Sequence, residues 1–241
     1  MATFVLTDAT IALGGVDLTS RSNQVTLTYD VETQDNTVFG MRTRSNAPGL
    51  WVVSAEVGGF TDEDLGNGVF SKVGGGPDVF ALTPTGADGA KGYAFRSMAT
   101  SHQPVGGSVG EMAATSLNLS GRSGHPLVSG TILHPADTAR TATGTGTARQ
   151  LGDVAAGESV YAALNVLEVS GTAPTLDVTV SSDDASGFAT PTTQLTFDQV
   201  TDVGGQWKTA AGPLTDTWWR VSYTIGGTAP SFRFQVVVGI R

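Results

Sequence analysis

The sequence predicts an all-β chain with one short helix, divided into two domains. Three observations predict it. Glycine is frequent, at 32 of 241 residues, Thr and Val are abundant, and runs of helix-favouring residues are scarce, a composition that favours short strands joined by tight turns. Apolar and polar residues alternate with period two, as where Val25, Leu27, Tyr29 and Val31 interleave with Gln24, Thr26, Thr28, Asp30 and Glu32. That is the pattern of a sheet with one buried face. In the second half, turn signals recur at roughly the eight-to-twelve residue spacing of a sandwich.

In chain order, Thr3–Leu6 and Thr10–Leu13 read as short strands, and Gly14-Gly15 turns the chain into Val16–Leu18. Gln24–Glu32 and Leu50–Phe60 form the organising pair of strands, separated by the 17 residues Thr33–Gly49. A loop of that length inside a compact domain is usually functional or mobile. It holds no catalytic cluster, so it reads as an arm that contacts a partner. A helix follows from Thr61, the cap, with Asp64 three residues on. Leu65, Val69, Phe70 and Val73 recur at helical spacing until Gly74–Gly76 and Pro77 stop it. Gly66 and Gly68 weaken this helix, so packing must hold it.

Strands resume at Asp78–Thr83 and Gly89–Thr100, the second placing Tyr93 and Phe95 on one face, and a Pro/Gly loop leads to a closing strand with Ala113, Thr115, Leu117 and Leu119. The polar, glycine-rich stretch ending at Pro126 reads as a linker. The predicted domains are therefore 1–121 and 127–241, with the linker at 122–126. The second domain reads as a β-sandwich of jelly-roll or immunoglobulin-like type. Val160–Val169 is apolar on both faces, as a central strand should be. Leu176, Val178 and Val180 alternate with polar residues, as do Trp219, Val221 and Tyr223, and Phe232, Phe234 and Val236. A short echo links GTAPTLDVTV (Gly171–Val180) with GTAPSFRFQV (Gly227–Val236), read as one turn solution used twice.

Net charge is −9, with 7 basic and 12 acidic side chains in residues 1–124 and 6 and 10 in residues 125–241. An even acidity argues against tight nucleic-acid binding through a basic surface. No cysteine is present, which excludes disulfides and thiolate metal sites. No apolar run reaches the length of a membrane-spanning helix, so no membrane insertion is expected. The start of the chain lacks a basic segment and is interrupted by Asp8, unlike a secretory signal.

Candidate chemistry is sparse. Gly106-Gly107-Ser108-Val109-Gly110 fits the G-x-S-x-G elbow of serine hydrolases, but Pro104 precedes it and a β-patterned run follows, so it reads as a glycine loop. His102, His125 and His134 show no metal-binding spacing and read as surface or turn histidines. Asp183 and Asp184 sit in SSDDASG without an alternating Asp pattern, and read as an Asx turn rather than a calcium loop. Asn118-Leu119-Ser120 is a formal glycosylation sequon without a secretory context. If Trp219 faces the core, Trp218 faces outward beside Arg220, where it could stack on a sugar or a subunit, or lie under the loop holding Trp207. No catalytic residue, cofactor or metal site is predicted, and the chain is not expected to be an enzyme.

Several segments of residues 1–121 resemble the tail tube (major tail) proteins of long-tailed bacteriophages. FVLTDATIALGGVDLTSRSNQVTLTYDVE resembles that family's "vNGvDLS" hairpin and "VTLxYeaE" strand, and DNTVFGMRTRSNAPGLW its "DxTxMG…R…GL" loop. The helix, and QPVGGSVGEMAATSLNLS with its closing strand, complete the likeness. Phe39 replaces the usual methionine, and Asn46-Ala47-Pro48 stands where charged residues are common. The second half resembles the extra β-sandwich domain of some phage tail proteins.

The resemblance implies a tail-tube-type β-sandwich or barrel domain followed by a β-sandwich. It further implies a structural virion protein, assembled in the host cytoplasm, whose hexameric rings stack helically with other tail proteins around a channel. Double-stranded DNA would pass through without specific binding. Asp35, Asn36, Val38, Phe39, Met41, Arg42, Arg44 and Asn46 would make ring contacts, the two arginines as ion-pair donors, and Asp30, Glu32, Glu56 and Glu111 are candidates for the lumen. Two alternatives remain open: a capsid decoration or minor tail protein, and a carbohydrate-binding module reaching host glycans, in which Trp218, Trp207 or Asp183 forms the sugar site, with Trp218 and Arg220 as surface-binding candidates.

Overall fold

The structure, a computed structural model, describes residues 6–61, 68–122 and 124–241. Its strands are β1 (Thr10–Leu13), β2 (Val16–Asp17), β3 (Ser22–Asp35), β4 (Asn46–Phe60), β5 (Asp78–Thr83), β6 (Lys91–Gly106) and β7 (Ala114–Gly121). They continue with β8 (Val128–His134), β9 (Gly144–Thr145), β10 (Arg149–Gln150), β11 (Ser159–Asp183), β12 (Thr192–Thr196), β13 (Gly204–Ala211) and β14 (Trp218–Ile240). The chain is all-β. Residues 62–67 of the predicted helix lie outside the described residues, as does Thr3–Val5 of the first predicted strand; the helix ends at Phe70, short of the predicted Val73, which instead forms a bridge with Ala99. Residues 68–70 are helical, and the Thr61 hydroxyl donates to the carbonyls of Pro104 (2.9 Å) and Ala114 (3.1 Å).

Two compact units emerge. One comprises Met1–Ser20, Asp78–Arg96 and Val128–Arg241, the other Arg21–Pro77 and Ser97–Leu127. This grouping cuts the chain differently from a division at 121/127, because β5 pairs with β1 and the start of β6 pairs with β8. Through β6, which neighbours β5 and pairs with β8, residues 78–96 are tied to the C-terminal strands, a link that chain order alone conceals.

The larger unit is built on β11 and β14, which pair along nearly their whole length. As the apolar pattern on both faces predicts, the first part of β11 is central, flanked by β13 and β14. On one face Leu164, Val166, Val178, Val180, Trp219, Phe232, Phe234 and Val236 gather in a single core cluster. Residues before and after the middle of each strand thus meet in one cluster, so the two-stranded ribbon folds back on itself. On the other face Ala163 and Val237 pack with Val79, Ala81, Ala94 and Ile132.

The fold-back lies at the two GTAP copies. The ladder shifts register between Ser170 and Thr172 and between Thr172 and Thr175, with Thr172 opposite Thr228. Gly171 and Gly227 take φ of 115° and 113°, and Ala173 and Ala229 take 47° and 49°. Each glycine faces the other copy: a Cβ on Gly171 would lie 2.7 Å from the Ala229 carbonyl oxygen, and one on Gly227 2.7 Å from that of Ala173. The sequence echo is a local two-fold pair of bends, each requiring glycine.

The smaller unit is a four-stranded antiparallel sheet in the order β3-β4-β7-β6. Directly opposed residues share a face. Val25, Leu27 and Tyr29 oppose Val57, Ala55 and Val53, while Leu117 and Leu119 oppose Val57 and Ala55. On that apolar face Val53, Ala55, Val57, Leu117 and Leu119 are buried, as are Ala99 of β6 and Val69 of the helical turn. The β3 residues of this face are only half-buried, so the predicted buried face is incomplete along its outer strand. The opposite face carries Thr26, Thr28, Asp30, Ser54, Glu56, Ser116 and Asn118.

Candidate functional site

The site is the smaller unit's sheet and its two turns. The β3–β4 ladder continues past the predicted strand ends, pairing Thr33 with Pro48, Gln34 with Ala47 and Asp35 with Asn46. The 17-residue arm is corrected to a turn of residues 36–45 on a longer hairpin. The polar stretches TQD and NAP carry no apolar alternation, yet ladder hydrogen bonds extend them as strands. The turn has internal order. The Asp35 carboxylate accepts the Thr37 N–H at 2.9 Å, the Thr37 hydroxyl accepts the Ser45 N–H at 2.9 Å, and the Asn36 N–H donates to the Ser45 carbonyl at 2.9 Å. The Thr37 hydrogen bonds hold the Asp35 carboxyl below its ordinary pKa.

That turn presents large apolar side chains to solvent. Val38 is 62% exposed, Phe39 fully so and Met41 52%. The adjoining strand adds Leu50, Trp51 and Val52, also exposed. Arg42 and Arg44 lie exposed beside them, as do Asn36 and Asn46. The predicted contact residues Asp35 to Asn46 are thus all at one end of the sheet.

A second apolar turn lies at the other end. Phe60, the last residue of β4, pairs with Ala114, the first of β7, so the β6–β7 turn at 107–113 is remote from the 36–45 turn. The 15 residues of β4 separate them by about 45–50 Å at about 3.3 Å per residue. Val105, Val109 and Met112 are exposed there, Val109 fully. The GGSVG stretch runs from Gly106, the last residue of β6, into this turn: Gly107 and Gly110 have φ of 134° and 92°, and the Ser108 N–H donates to the Glu111 carboxylate at 3.2 Å. Sequence reasoning did not single out Val105, Val109 and Met112. Their spacing around glycines in a turn was the available signal.

Of the four acidic residues, Asp30 and Glu56 lie on the polar face, since Asp30 opposes Val52 and Glu56 opposes Thr26 and Asn118. Glu32 sits at the register shift between Val31 and Thr33, and Glu111 is in the turn. Neither β3, β4 and β7 nor residues 97–106 of β6 contain any Lys or Arg. Among the described strands β3 pairs with β4 alone, so its 14 residues form an edge without proline.

In the larger unit, Trp218 is half-buried opposite Asp183, and the Arg220 guanidinium lies 4.2 Å over the Phe188 ring. Trp207 packs on Tyr161, 5.8 Å between ring centroids. The Asp183 carboxylate accepts the N–H groups of Ala185 and Thr190, both at 2.9 Å. The Ala185 contact leads in holding its pKa down, while the hydrogen bond and charge of Asp183 raise that of Asp184.

His134 requires a correction. It is 2% exposed, not a surface histidine, because Phe234 and Tyr223, distant in sequence, enclose it. Its ring stacks on Phe234 at 4.0 Å and meets Tyr223 edge-on at 5.2 Å. His134 Nδ1 donates to the Phe234 carbonyl at 3.1 Å, and Nε2 accepts from Arg140 Nε at 3.3 Å. Burial lowers its pKa to about 4. Among the described residues no group of three or more His, Cys, Asp or Glu is arranged to hold a metal.

No protein-family model and no curated protein matches the sequence. Among solved structures, the chain is similar to one from the virion of a native gene transfer agent particle, at 17% identity and TM-score 0.40, covering 52% of this chain and 98% of that one. It is similar to a chain of the PVC sheath–tube complex of an extracellular contractile injection system in its extended state. There identity is 10% and TM-score 0.39, over 54% of this chain and 92% of that one. A further likeness is to the SPP1 Dit protein, described as a paradigm of the hub adsorption apparatus in phages infecting Gram-positive hosts. Identity is 11% and TM-score 0.38, over 97% of this chain and 99% of that one.

Proposed function

We propose that this chain is a structural subunit of a phage tail, stacking head to tail as rings that form a tube. The observation that carries this reading is the placement of two exposed apolar turns at opposite ends of one sheet. Two unlike sticky ends make a heterologous contact, which propagates rather than closing as a dimer. The ends also differ in charge, with Arg42 and Arg44 at one and Glu111 at the other. In this reading the 36–45 turn of one copy meets the 107–113 turn of the next.

Two further features support the tube. Among the described strands β3 pairs with β4 alone, so its outer edge can pair with a neighbouring copy in the same ring, and closing the sheet into a barrel removes that edge. The polar face, with Asp30 and Glu56 and no basic strand residue, suits a channel wall to which DNA does not adhere. A ring of six and passage of DNA belong to this proposal. Sedimentation velocity tests the stacking contact. Concentration-dependent assembly is expected for the native chain, its loss in Arg42→Glu/Arg44→Glu, and partial recovery when Glu111→Lys is added. A native chain that stays monomeric at all concentrations contradicts the reading.

A further inference from the structure

The larger unit carries a pocket of about 280 Å³, lined by His134, Pro135, Asp137, Arg140, Thr147 and Tyr223 among others. It belongs wholly to the larger unit, and its reading does not depend on the assembly surfaces of the smaller one. Its walls are rigidly held. Arg140 exchanges backbone hydrogen bonds with Phe232 at 2.7 and 2.9 Å. Its guanidinium is fixed by Nε on His134 at 3.3 Å and by Nη2 on Asp137 Oδ1 at 3.0 Å. His134, itself buried, is locked by Phe234 and Tyr223. Gly144 leaves room for the Tyr223 hydroxyl, which a Cβ at that position would approach to 2.7 Å.

Several polar atoms of this pocket are unused. Among the described residues the Tyr223 hydroxyl, Arg140 Nη1 and Asp137 Oδ2 have no hydrogen-bond partner. They offer a hydroxyl that both donates and accepts, a fixed N–H donor and a carboxylate acceptor. The charges are matched in pairs: Arg140 on Asp137, and Arg149 on Asp88 at 2.9 Å. A phosphate or carboxylate would meet Asp88 and Asp137, and a cation would meet Arg140, each without net compensation. A neutral ligand rich in hydroxyls fits instead, its C–H face against Leu133 and Pro135, which also line the cavity. The volume is below the roughly 300–1,000 Å³ of drug-sized sites.

We propose that this pocket binds a single ring of a neutral saccharide, held by Tyr223, Arg140 and Asp137. This places sugar binding away from Trp218, the residue first singled out for it. The test uses the full chain and a panel of methyl glycosides (glucose, galactose, mannose, rhamnose and N-acetylglucosamine), read by saturation-transfer NMR and calorimetry.

At least one glycoside is expected to bind saturably at millimolar concentration, with no competition from inorganic phosphate. Tyr223→Phe, which keeps the ring, and Asp137→Asn, which keeps an acceptor for Arg140, are each expected to weaken it at least tenfold. Melting temperatures of the two variants report that the fold is kept, and two independent variants keep the test open if one unfolds. Failure of the whole panel to bind overturns the proposal. So does binding that survives in a folded variant of either residue, or that is lost on Trp218→Ala alone.

Discussion

The ring of Trp51 lies 4.9 Å from that of Tyr29, with 12° between their planes, and yet Trp51 remains 63% exposed. The stack sits on the apolar face of the β3–β4 hairpin, toward its turn. A stacked pair adds about 0.5–1.5 kcal/mol beyond burial, too little to account for keeping so much apolar surface in water. The exposed side of Trp51 lies at the same end of the hairpin as Val38 and Phe39, and in the proposed reading it belongs to the contact between copies.

Trp51→Ala is therefore expected to cost about 1 kcal/mol of folding stability, the value of the lost stack. Assembly should suffer far more, with the midpoint concentration rising at least tenfold. Urea unfolding and sedimentation of the same preparation separate the two effects. A large loss of stability with unchanged assembly would assign Trp51 to the core instead.

Gly171→Ala and Gly227→Ala should each destabilise the larger unit by about 1–3 kcal/mol, because both demand a non-glycine residue at strongly positive φ. In addition, each new Cβ meets a carbonyl oxygen of the opposite bend at 2.7 Å. The local two-fold predicts similar costs at the two sites. Chemical denaturation checks this; a neutral result at either position contradicts the reciprocal packing.

His134 makes the larger unit sensitive to mild acid. Its pKa is lowered to about 4 from the ordinary 6.5, so the unfolded chain takes up a proton at a pH where the folded one does not. The stability contributed by neutral His134 is complete above about pH 6.5 and is lost as pH falls toward 4, amounting to about 3 kcal/mol by linkage. His134→Gln should lower stability near neutrality and flatten this slope between pH 6.5 and 4. Melting temperature against pH for both proteins measures it, and parallel curves would refute the assignment.

Much of this architecture was legible in the sequence. The β1 strand, the β3–β4 pair, β5 and the alternation along β14 follow from period-two patterning, which reports a buried face directly. The hairpin's full length did not, since Thr33–Asp35 and Asn46–Pro48 are held by backbone pairing and leave no apolar trace. The grouping of residues 78–96 with the C-terminal strands was hidden for a related reason: the β6–β8 pairing joins Ala94 with Val128 and Lys91 with Thr131, and pairing over such separations has no local signature. His134 read as a surface or turn histidine, because its burial depends on Phe234 and Tyr223 about a hundred residues away. The GTAP echo was visible, but its meaning required seeing the two copies face each other. The Val105, Val109 and Met112 end went unnoticed because isolated apolar residues in a glycine turn carry no periodicity.

The central claim is that one copy's 36–45 end engages the opposite end of the next. Negative-stain electron microscopy of the purified chain tests it most directly, alongside a variant in which residues 36–45 are replaced by Asn-Gly. That short turn preserves the Asp35–Asn46 register and suits a tight hairpin. The account predicts stacked rings or tubes for the native chain, and folded particles without stacking for the variant. Tubes formed equally by both proteins, or none by the native chain at high concentration, would contradict it.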